Sequence, residues 1–260
     1  MTSTEPSPPE QTPDWAAIVA ENMPKVDAMV TENDAPINNL FCAKQQRLLV
    51  EPLYTSWTGP GEGRPFLVEA NLAVFYSVHR PPLVPNVMLS LDARAPDDAW
   101  AKSKRAYFIW EYGKRPEVVI EIVTTQQSPQ GEQKLHDYSW ISVPFCIIFD
   151  PTGQLGAEPL RVYGLAAKEY RRIPAECLPT IGLGLRLWQG AYEGLTQTWL
   201  RWCDPAGNIL QTGAECAAAA EQHAAQEHQR AEHLAAQLRA LGVEPQDAGV
   251  ANAGESPPAF

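Results

Sequence analysis

A single acid interrupts an apolar run near the middle of the chain, and a lysine follows it in a helix-like stretch. Residues 116–127 read PEVVIEIVTTQQ, so isoleucines flank Glu121, and side-chain alternation along a strand turns Glu121 to the face opposite theirs. A buried carboxylate is unfavourable unless a cation, a metal ion or a hydrogen-bond network compensates it. Lys134 lies in the helix-like stretch 131–138 and could meet Glu121 in a mixed α/β sheet. These two residues are therefore the first candidates for chemistry.

Glu121 and Lys134 also have purely structural interpretations. Glu121 could be an acid that an arginine or lysine holds in a structural salt bridge. Lys134 could be a solvated helix residue, but Tyr138 and Ile141 share its helix face and are suited to packing. This spacing favours a lysine directed toward the sheet, and it leaves both interpretations of the acid open.

The elements that would position these residues predict an α/β fold in which strands precede and follow one central helix. A further helix opens the ordered region, and each strand is four residues or longer. The predicted elements are a helix at 43–56, strands at 66–76, 84–91, 106–111 and 117–124, the central helix at 130–142, and strands at 145–149, 161–165, 169–173 and 183–188.

The ordered set of segments resembles the Uma family of restriction-endonuclease-like proteins, within the PD-(D/E)XK nuclease superfamily. The resemblance covers roughly residues 38–204, and a helical tail like the one that follows occurs in part of the family. Its central piece is PEVVIEIV at 116–123, followed by Lys134 and Tyr138. The other matching segments are PLVPNVMLSLD at 82–92, YFIWEYG at 107–113, PFCIIFDP at 144–151, LRVY at 160–163, GLGLRLW at 182–188 and WLRWCD at 199–204.

The resemblance implies a restriction-endonuclease-like mixed sheet flanked by helices, with an added C-terminal helix. It also implies DNA as the partner, Mg²⁺ or Mn²⁺ as the cofactor, and phosphodiester hydrolysis as the reaction. Glu121 would be a catalytic residue and a metal ligand, and Lys134 would stabilise negative charge that develops on the phosphate. Asn86 would occupy the other metal-ligand position.

Asn86 is where the chain departs from the family pattern, which has an aspartate at that position. An asparagine offers a carbonyl oxygen but no charge, and Mg²⁺ prefers anionic oxygens, so we expect weak metal binding. Glu69 on a neighbouring predicted strand could substitute as a ligand. Two functions therefore stay open: a metal-dependent endonuclease impaired by Asn86, and a catalytically inactive nuclease fold that acts through its C-terminal helix.

A basic and aromatic cluster in the segment 102–115 could contact nucleic acid. The basic residues could hold a DNA backbone, and the aromatic residues between them could stack on bases. The same aromatic residues could equally be core residues of a strand. The cluster comprises Lys102, Lys104, Arg105, Lys114 and Arg115 with Tyr107, Trp110 and Tyr112.

The whole net charge of −11 lies in the two ends of the chain. Residues 1–36 carry −6 and are predicted to be an acidic, largely disordered segment, while the domain at 37–204 is formally neutral. Residues 205–242 form a helical tail, a weak coiled coil or docking helix that would support a homo-oligomer, and residues 243–260 are predicted to be disordered. This distribution argues against a broad, non-specific grip on phosphates.

Five widely spaced cysteines favour a reduced protein over a disulfide framework. The sequence contains no signal-type N-terminus and no apolar run near the ~20 residues that a membrane span needs. We therefore expect a cytoplasmic protein that has no membrane partner.

Overall fold

The computed structural model describes residues 39–61, 63–98, 100–101, 104–124 and 130–242. The disorder predicted for residues 1–36 and 243–260 lies outside these ranges, as does Lys102 of the basic cluster. Among the described residues, none of the helices combines the length and apolar character required to cross a bilayer.

The described residues form four helices and ten strands. The helices are α1 (Leu40–Ser56), α2 (Ile109–Tyr112), α3 (Gln130–Trp140) and α4 (Gly213–Ala240). The strands are β1 (Phe66–Ala70), β2 (Val74–Phe75), β3 (Val87–Leu91), β4 (Tyr107–Phe108), β5 (Val118–Ile122), β6 (Phe145–Phe149), β7 (Leu160–Ala166), β8 (Glu169–Arg172), β9 (Gly184–Tyr192) and β10 (Leu195–Cys203).

A mixed six-stranded sheet organises the fold, with the strand order β1-β3-β5-β6-β7-β8. Strands β5 and β6 are parallel, and α3 connects them, because two parallel neighbours need a crossover. The other neighbouring pairs are antiparallel. The predicted α/β class is therefore confirmed.

The two faces of the sheet carry separate apolar clusters, because side chains alternate along each strand. Ile120 and Ile122 of β5 pack on the first face with Leu49 of α1. Val119 of β5 packs on the second face with Tyr138 of α3. By the same alternation Glu121 belongs to the second face, beneath α3.

Helix α1 holds the β9–β10 hairpin against the first face. The side chain of Asn39 caps its N-terminus by accepting a hydrogen bond from the Cys42 N–H at 2.8 Å, so the helix begins earlier than the predicted residue 43. Buried Gln45 donates to the Leu200 carbonyl and accepts from the Leu200 N–H. The Trp202 indole also donates to a carbonyl of α1. These bonds explain how a polar glutamine is accommodated in the core.

Two predicted strands are shorter than expected because the backbone turns. Strand β1 ends at Ala70, since Asn71 adopts a positive φ of 54°. The strand predicted at 106–111 is limited to β4, and the short helix α2 follows it and ends at Gly113, which has a φ of 67°. Asparagine and glycine tolerate this left-handed conformation better than other residues.

The hairpin β9–β10 extends the single strand that was predicted at 183–188. The strand continues to Tyr192, and two residues of positive φ, Glu193 at 43° and Gly194 at 81°, form the connection. Positive φ at both central residues is typical of the tight hairpin turn that matches strand twist.

The C-terminal helix α4 begins with a capping box. Thr212 accepts a hydrogen bond from the Glu215 N–H, and the Glu215 carboxylate accepts one from the Thr212 N–H. None of the described residues of α4 is buried. The chain divides into one compact unit that ends at Leu210 and a second that begins at Gln211.

Removal of the second unit should leave the first able to fold. A chain that ends at Leu210 keeps every strand of the sheet and α1, α2 and α3, and loses no buried residue of α4. We expect a cooperative thermal unfolding transition by circular dichroism, with a midpoint within a few degrees of the full chain. A broad, non-cooperative transition would show that the tail is needed for the domain.

Candidate functional site

Glu121 is a buried acid in a central strand of the sheet. Its residue is 5% exposed, and β5 lies between β3 and β6. In the parallel register with β6 it is opposite Ile148. Apolar strands therefore flank the carboxylate on both sides and leave it little contact with solvent, so its hydrogen bonds must come largely from the protein.

Helix α3 supplies the two hydrogen bonds that the carboxylate receives from the described residues. The Lys134 Nζ donates to Oε2 of Glu121 at 2.6 Å, and the Tyr138 hydroxyl donates to Oε1 at 2.6 Å. Lys134 and Tyr138 are four residues apart, so they project from the same face of the helix. The structure thus brings together Glu121 and Lys134, as the sequence predicted, and adds Tyr138.

The electrostatics of this cluster combine burial with charge pairing. Burial raises the pKa of Glu121, while the Lys134 ammonium and the Tyr138 hydroxyl act in the opposite direction. Burial and the nearby Glu121 charge raise the pKa of Tyr138, so the phenol remains a neutral donor. Burial, with the same carboxylate, also raises the pKa of Cys146. The cluster is therefore one ion pair whose carboxylate also accepts a hydrogen bond from a neutral phenol.

Asn86 is the residue that precedes β3. Its side-chain amide accepts a hydrogen bond from β5 just beyond the last backbone pair of the β3–β5 ladder. It is 7% exposed. Its Oδ1 accepts a hydrogen bond from the Ile122 N–H at 2.8 Å, and its Nδ2 donates to the Cys42 Sγ at 3.6 Å. Cys42 belongs to α1 and to the cluster on the first face.

The two residues predicted as metal ligands have different partners: the Asn86 oxygen accepts from the Ile122 N–H, next to Glu121 in β5, and its nitrogen donates toward α1. The bonds of Glu121 run to α3 on the second face, and the amide nitrogen of Asn86 bonds to α1 on the first. Both oxygens of the acid and the oxygen of the amide already accept hydrogen bonds within the protein. The structure pairs Glu121 with Lys134 but gives Asn86 different partners.

A divalent cation does not fit this set of donors. Mg²⁺ and Mn²⁺ favour several hard oxygen ligands, mostly anionic. The pair of Glu121 and Lys134 has no net charge, and the Lys134 ammonium already lies 2.6 Å from Oε2. Over the described part of the chain, no group of three or more histidine, cysteine, aspartate or glutamate residues could hold a metal ion.

Glu69, the other acid considered as a ligand, lies on β1 opposite Met88 of β3. Strand β3 separates β1 from β5, so Glu69 is two strands from Glu121. Burial raises the pKa of Glu69, which weakens its tendency to carry charge. None of the hydrogen bonds described above joins Glu69 to Glu121, Lys134 or Tyr138.

The two described lysines of the basic cluster pair with neighbouring acids, whereas Arg105 and Arg115 are exposed and Arg105 donates to the Trp100 carbonyl. Lys104 lies 3.6 Å from Glu111, and Lys114 lies 2.6 Å from Glu117. Tyr107 is fully buried, and its ring stacks on Tyr112 with centroids 4.3 Å apart. The aromatic residues therefore serve the core, and the described lysines have little charge left uncompensated for phosphates.

The contribution of Tyr138 to the site was missed at the sequence level, where it was treated as a packing residue. Its spacing from Lys134 was the available indication, because residues four apart on a helix reach the same point of the sheet. The partnership of Asn86 with Ile122 and Cys42 had no such indication, since it depends on the end of one strand and on a distant helix.

Tyr138→Phe should destabilise the protein by about 2 kcal/mol, because it removes a hydrogen bond to a buried charged group. Tyr170→Phe is the matched control, since that hydroxyl donates at 2.8 Å to the neutral Val143 carbonyl. The control should lose about 1 kcal/mol. Urea unfolding of both variants provides the measurement. Equal losses would contradict the charged hydrogen bond assigned to Tyr138.

No protein-family model matches this chain, and no curated protein matches it in sequence. The resemblance to the Uma family therefore rests on the ordered segments and on the residues quoted for it above.

Proposed function

We propose that this chain is a restriction-endonuclease-type α/β protein that does not cleave DNA by a metal-dependent mechanism and that acts as an assembly module through α4. The observation that supports this proposal is that both oxygens of the buried Glu121 carboxylate accept hydrogen bonds from α3. Lys134 and Tyr138 each donate a hydrogen bond to one of its oxygens. The side-chain oxygen of Asn86 accepts a hydrogen bond from the Ile122 N–H. The cluster serves as a buried structural network.

Charge is the physical reason for favouring this function. Two carboxylates that converge without metal repel one another, and a divalent cation relieves that repulsion. Here a single carboxylate lies 2.6 Å from an ammonium, so there is no repulsion between carboxylates for a cation to relieve. A metal ion bound to Oε2 would lie close to the Lys134 ammonium, which is 2.6 Å from that oxygen, and the two cations would repel one another.

The exposure of α4 supports the assembly half of the proposal. The helix spans 28 residues, and none of its described residues is buried. Leu234 is 58% exposed and Leu241 is 79% exposed. Large apolar side chains along one helix favour association with another apolar surface.

The endonuclease remains the second candidate because one observation favours it. Lys134 reaches Glu121, as the resemblance to the nuclease family implies for the catalytic pair. DNA would then be the substrate. Replacement of Asn86 by aspartate, followed by addition of Mn²⁺, separates the two candidates.

A plasmid-nicking assay with Mg²⁺ or Mn²⁺ tests the proposed function. The parent and Glu121→Gln should give the same background of nicked plasmid, with or without metal. Glutamine keeps the size of the side chain but removes its charge, so it is the matched variant. Metal-dependent nicking by the parent that Glu121→Gln abolishes would overturn the proposal and favour the endonuclease.

A further inference from the structure

A heptad seam of exposed alanine and leucine runs along α4. Its members alternate at spacings of three and four residues, which is the period that places side chains along one line of a helix in a coiled coil. Only one of them, Glu227, is charged. The seam comprises Ala217, Ala220, Ala224, Glu227, Ala231, Leu234 and Leu238 of α4 and its C-cap residue Leu241, all of them exposed.

The seam is asymmetric, with small residues in its first half and large residues in its last turns. Leu234, Leu238 and Leu241 are 58%, 39% and 79% exposed. The alanines leave shallow positions that a leucine from another helix could fill, since close packing favours large against small. Two copies of such a seam are complementary when they run in opposite directions, because the large residues of one then face the small residues of the other.

The acid within the seam discriminates between the two orientations of a second copy. A parallel, in-register pair would place Glu227 directly against Glu227 of the second copy, and like charges at a core position repel. The same arrangement would stack alanine on alanine along the first half of the seam. Both features disfavour the parallel orientation.

An antiparallel pair with its two-fold axis at the level of Gln229 matches every seam position. Each leucine of one helix then faces an alanine of the other, and Glu227 faces the small Ala231. The facing residues are Ala217 with Leu241, Ala220 with Leu238, Ala224 with Leu234, and Glu227 with Ala231, each pair occurring twice by symmetry.

Charge also agrees with this register. Within one helix the Arg230 guanidinium lies 2.6 Å from the Glu227 carboxylate. In the antiparallel pair, Arg230 of the second copy lies at nearly the same height along the helix axis as Glu227. Its side chain is next to the seam and can reach the Glu227 carboxylate. The two acids and two arginines therefore form a compensated group at the centre. Antiparallel helix dipoles add to the preference.

We propose that α4 is a self-association surface whose occupant is α4 of a second copy, paired antiparallel about Gln229. This inference rests on the assembly part of the proposed function and names its partner. It does not depend on the state of the Glu121 site.

Light scattering on the full chain tests the association. We expect the parent to have twice the chain mass, and Leu238→Asp to have the mass of one chain because the charge falls in the seam. Ala236→Asp is the matched control on the outward face, and it should keep the parent mass. A single-chain mass for the parent, or equal masses for the two variants, would overturn the inference.

Distances between spin labels test the orientation, in a full chain that carries Cys177→Ser and Cys216→Ser. A label at Ala219→Cys should lie about 30 Å from its copy along the axis in the antiparallel pair, because each residue rises about 1.5 Å. A label at Gln229→Cys should lie level with its copy. A parallel pair would give closely similar distances at the two sites, and that result would overturn the proposed orientation.

Failure of this inference and failure of the proposed function are distinguishable. A dimer of the expected orientation that nicks DNA with metal would remove the inactive-site proposal alone. A monomer without nuclease activity would remove the self-association alone.

Discussion

Lys134→Met should lower the free energy of unfolding by about 3 kcal/mol at pH 7, because it removes one partner of a buried ion pair. Methionine fills nearly the same volume, so the loss comes from the charge and not from a cavity. Glu121 is 5% exposed and would be left with the Tyr138 hydroxyl as its remaining described donor. Chemical denaturation gives the measurement.

The loss should depend on pH in a defined direction. Burial raises the pKa of Glu121, and without Lys134 the opposing effect of the ammonium is gone. A raised pKa means that the native state holds the proton more tightly than the unfolded state. Stability of Lys134→Met should therefore fall as pH rises above about 4.5, the ordinary value for glutamate, and the deficit against the parent should shrink on acidification.

Two controls make this result specific. Arg64→Met removes the exposed pair with Asp92, whose side chains are 47% and 46% exposed, and it should cost under about 1 kcal/mol. The double variant Glu121→Gln with Lys134→Met should recover part of the loss, since no buried charge is then left. A deficit independent of pH, or a double variant that is worse than both singles, would contradict the pairing.

Asn86→Asp should destabilise the protein by about 3 kcal/mol in metal-free buffer. The aspartate can still accept the Ile122 N–H, but its second oxygen meets the Cys42 side chain in place of a donated N–H. A buried carboxylate with one strong donor for its two oxygens loses more hydration on folding than it regains in hydrogen bonds. Asn71→Asp is the control, because Asn71 is exposed, and it should lose less.

Addition of Mn²⁺ to Asn86→Asp separates the two candidate functions. If the cluster is structural, thermal melts with and without Mn²⁺ should agree, because Lys134 already compensates the Glu121 carboxylate and the new carboxylate is the single uncompensated charge. If the site is that of a nuclease, the two carboxylates converge and Mn²⁺ raises the melting temperature of the variant by mass action. A larger metal-dependent shift in Asn86→Asp than in the parent would therefore favour the endonuclease.

The sheet and its central helix could be predicted because local patterns of apolar and polar residues indicate which segments are buried. The apolar runs around Glu121 and at 145–149 are short, continuous and separated by a helical stretch, which is the pattern of buried parallel neighbours. The convergence of Glu121 and Lys134 followed from that order. The tail helix was equally evident, since Ala, Glu, Gln and Leu have high helix propensity and no proline interrupts them.

The remaining features depend on contacts that are distant in the chain. The strand predicted at 66–76 breaks because Asn71 turns with a φ of 54°, and asparagine alone does not require that conformation. Strand β10 is held to α1 by Gln45, 155 residues away from its partner Leu200. The partners of Asn86 also come from another strand and another helix. No local pattern encodes these bonds.

Calorimetric titration of Mn²⁺ into the full-length parent tests the central claim most directly, namely that the Glu121 cluster is closed to a divalent cation. If Lys134 and Tyr138 hold the carboxylate as described, the parent and Glu121→Gln should show the same unsaturable heats of dilution. Saturable Mn²⁺ binding by the parent that Glu121→Gln removes would contradict the claim and assign Glu121 as a metal ligand.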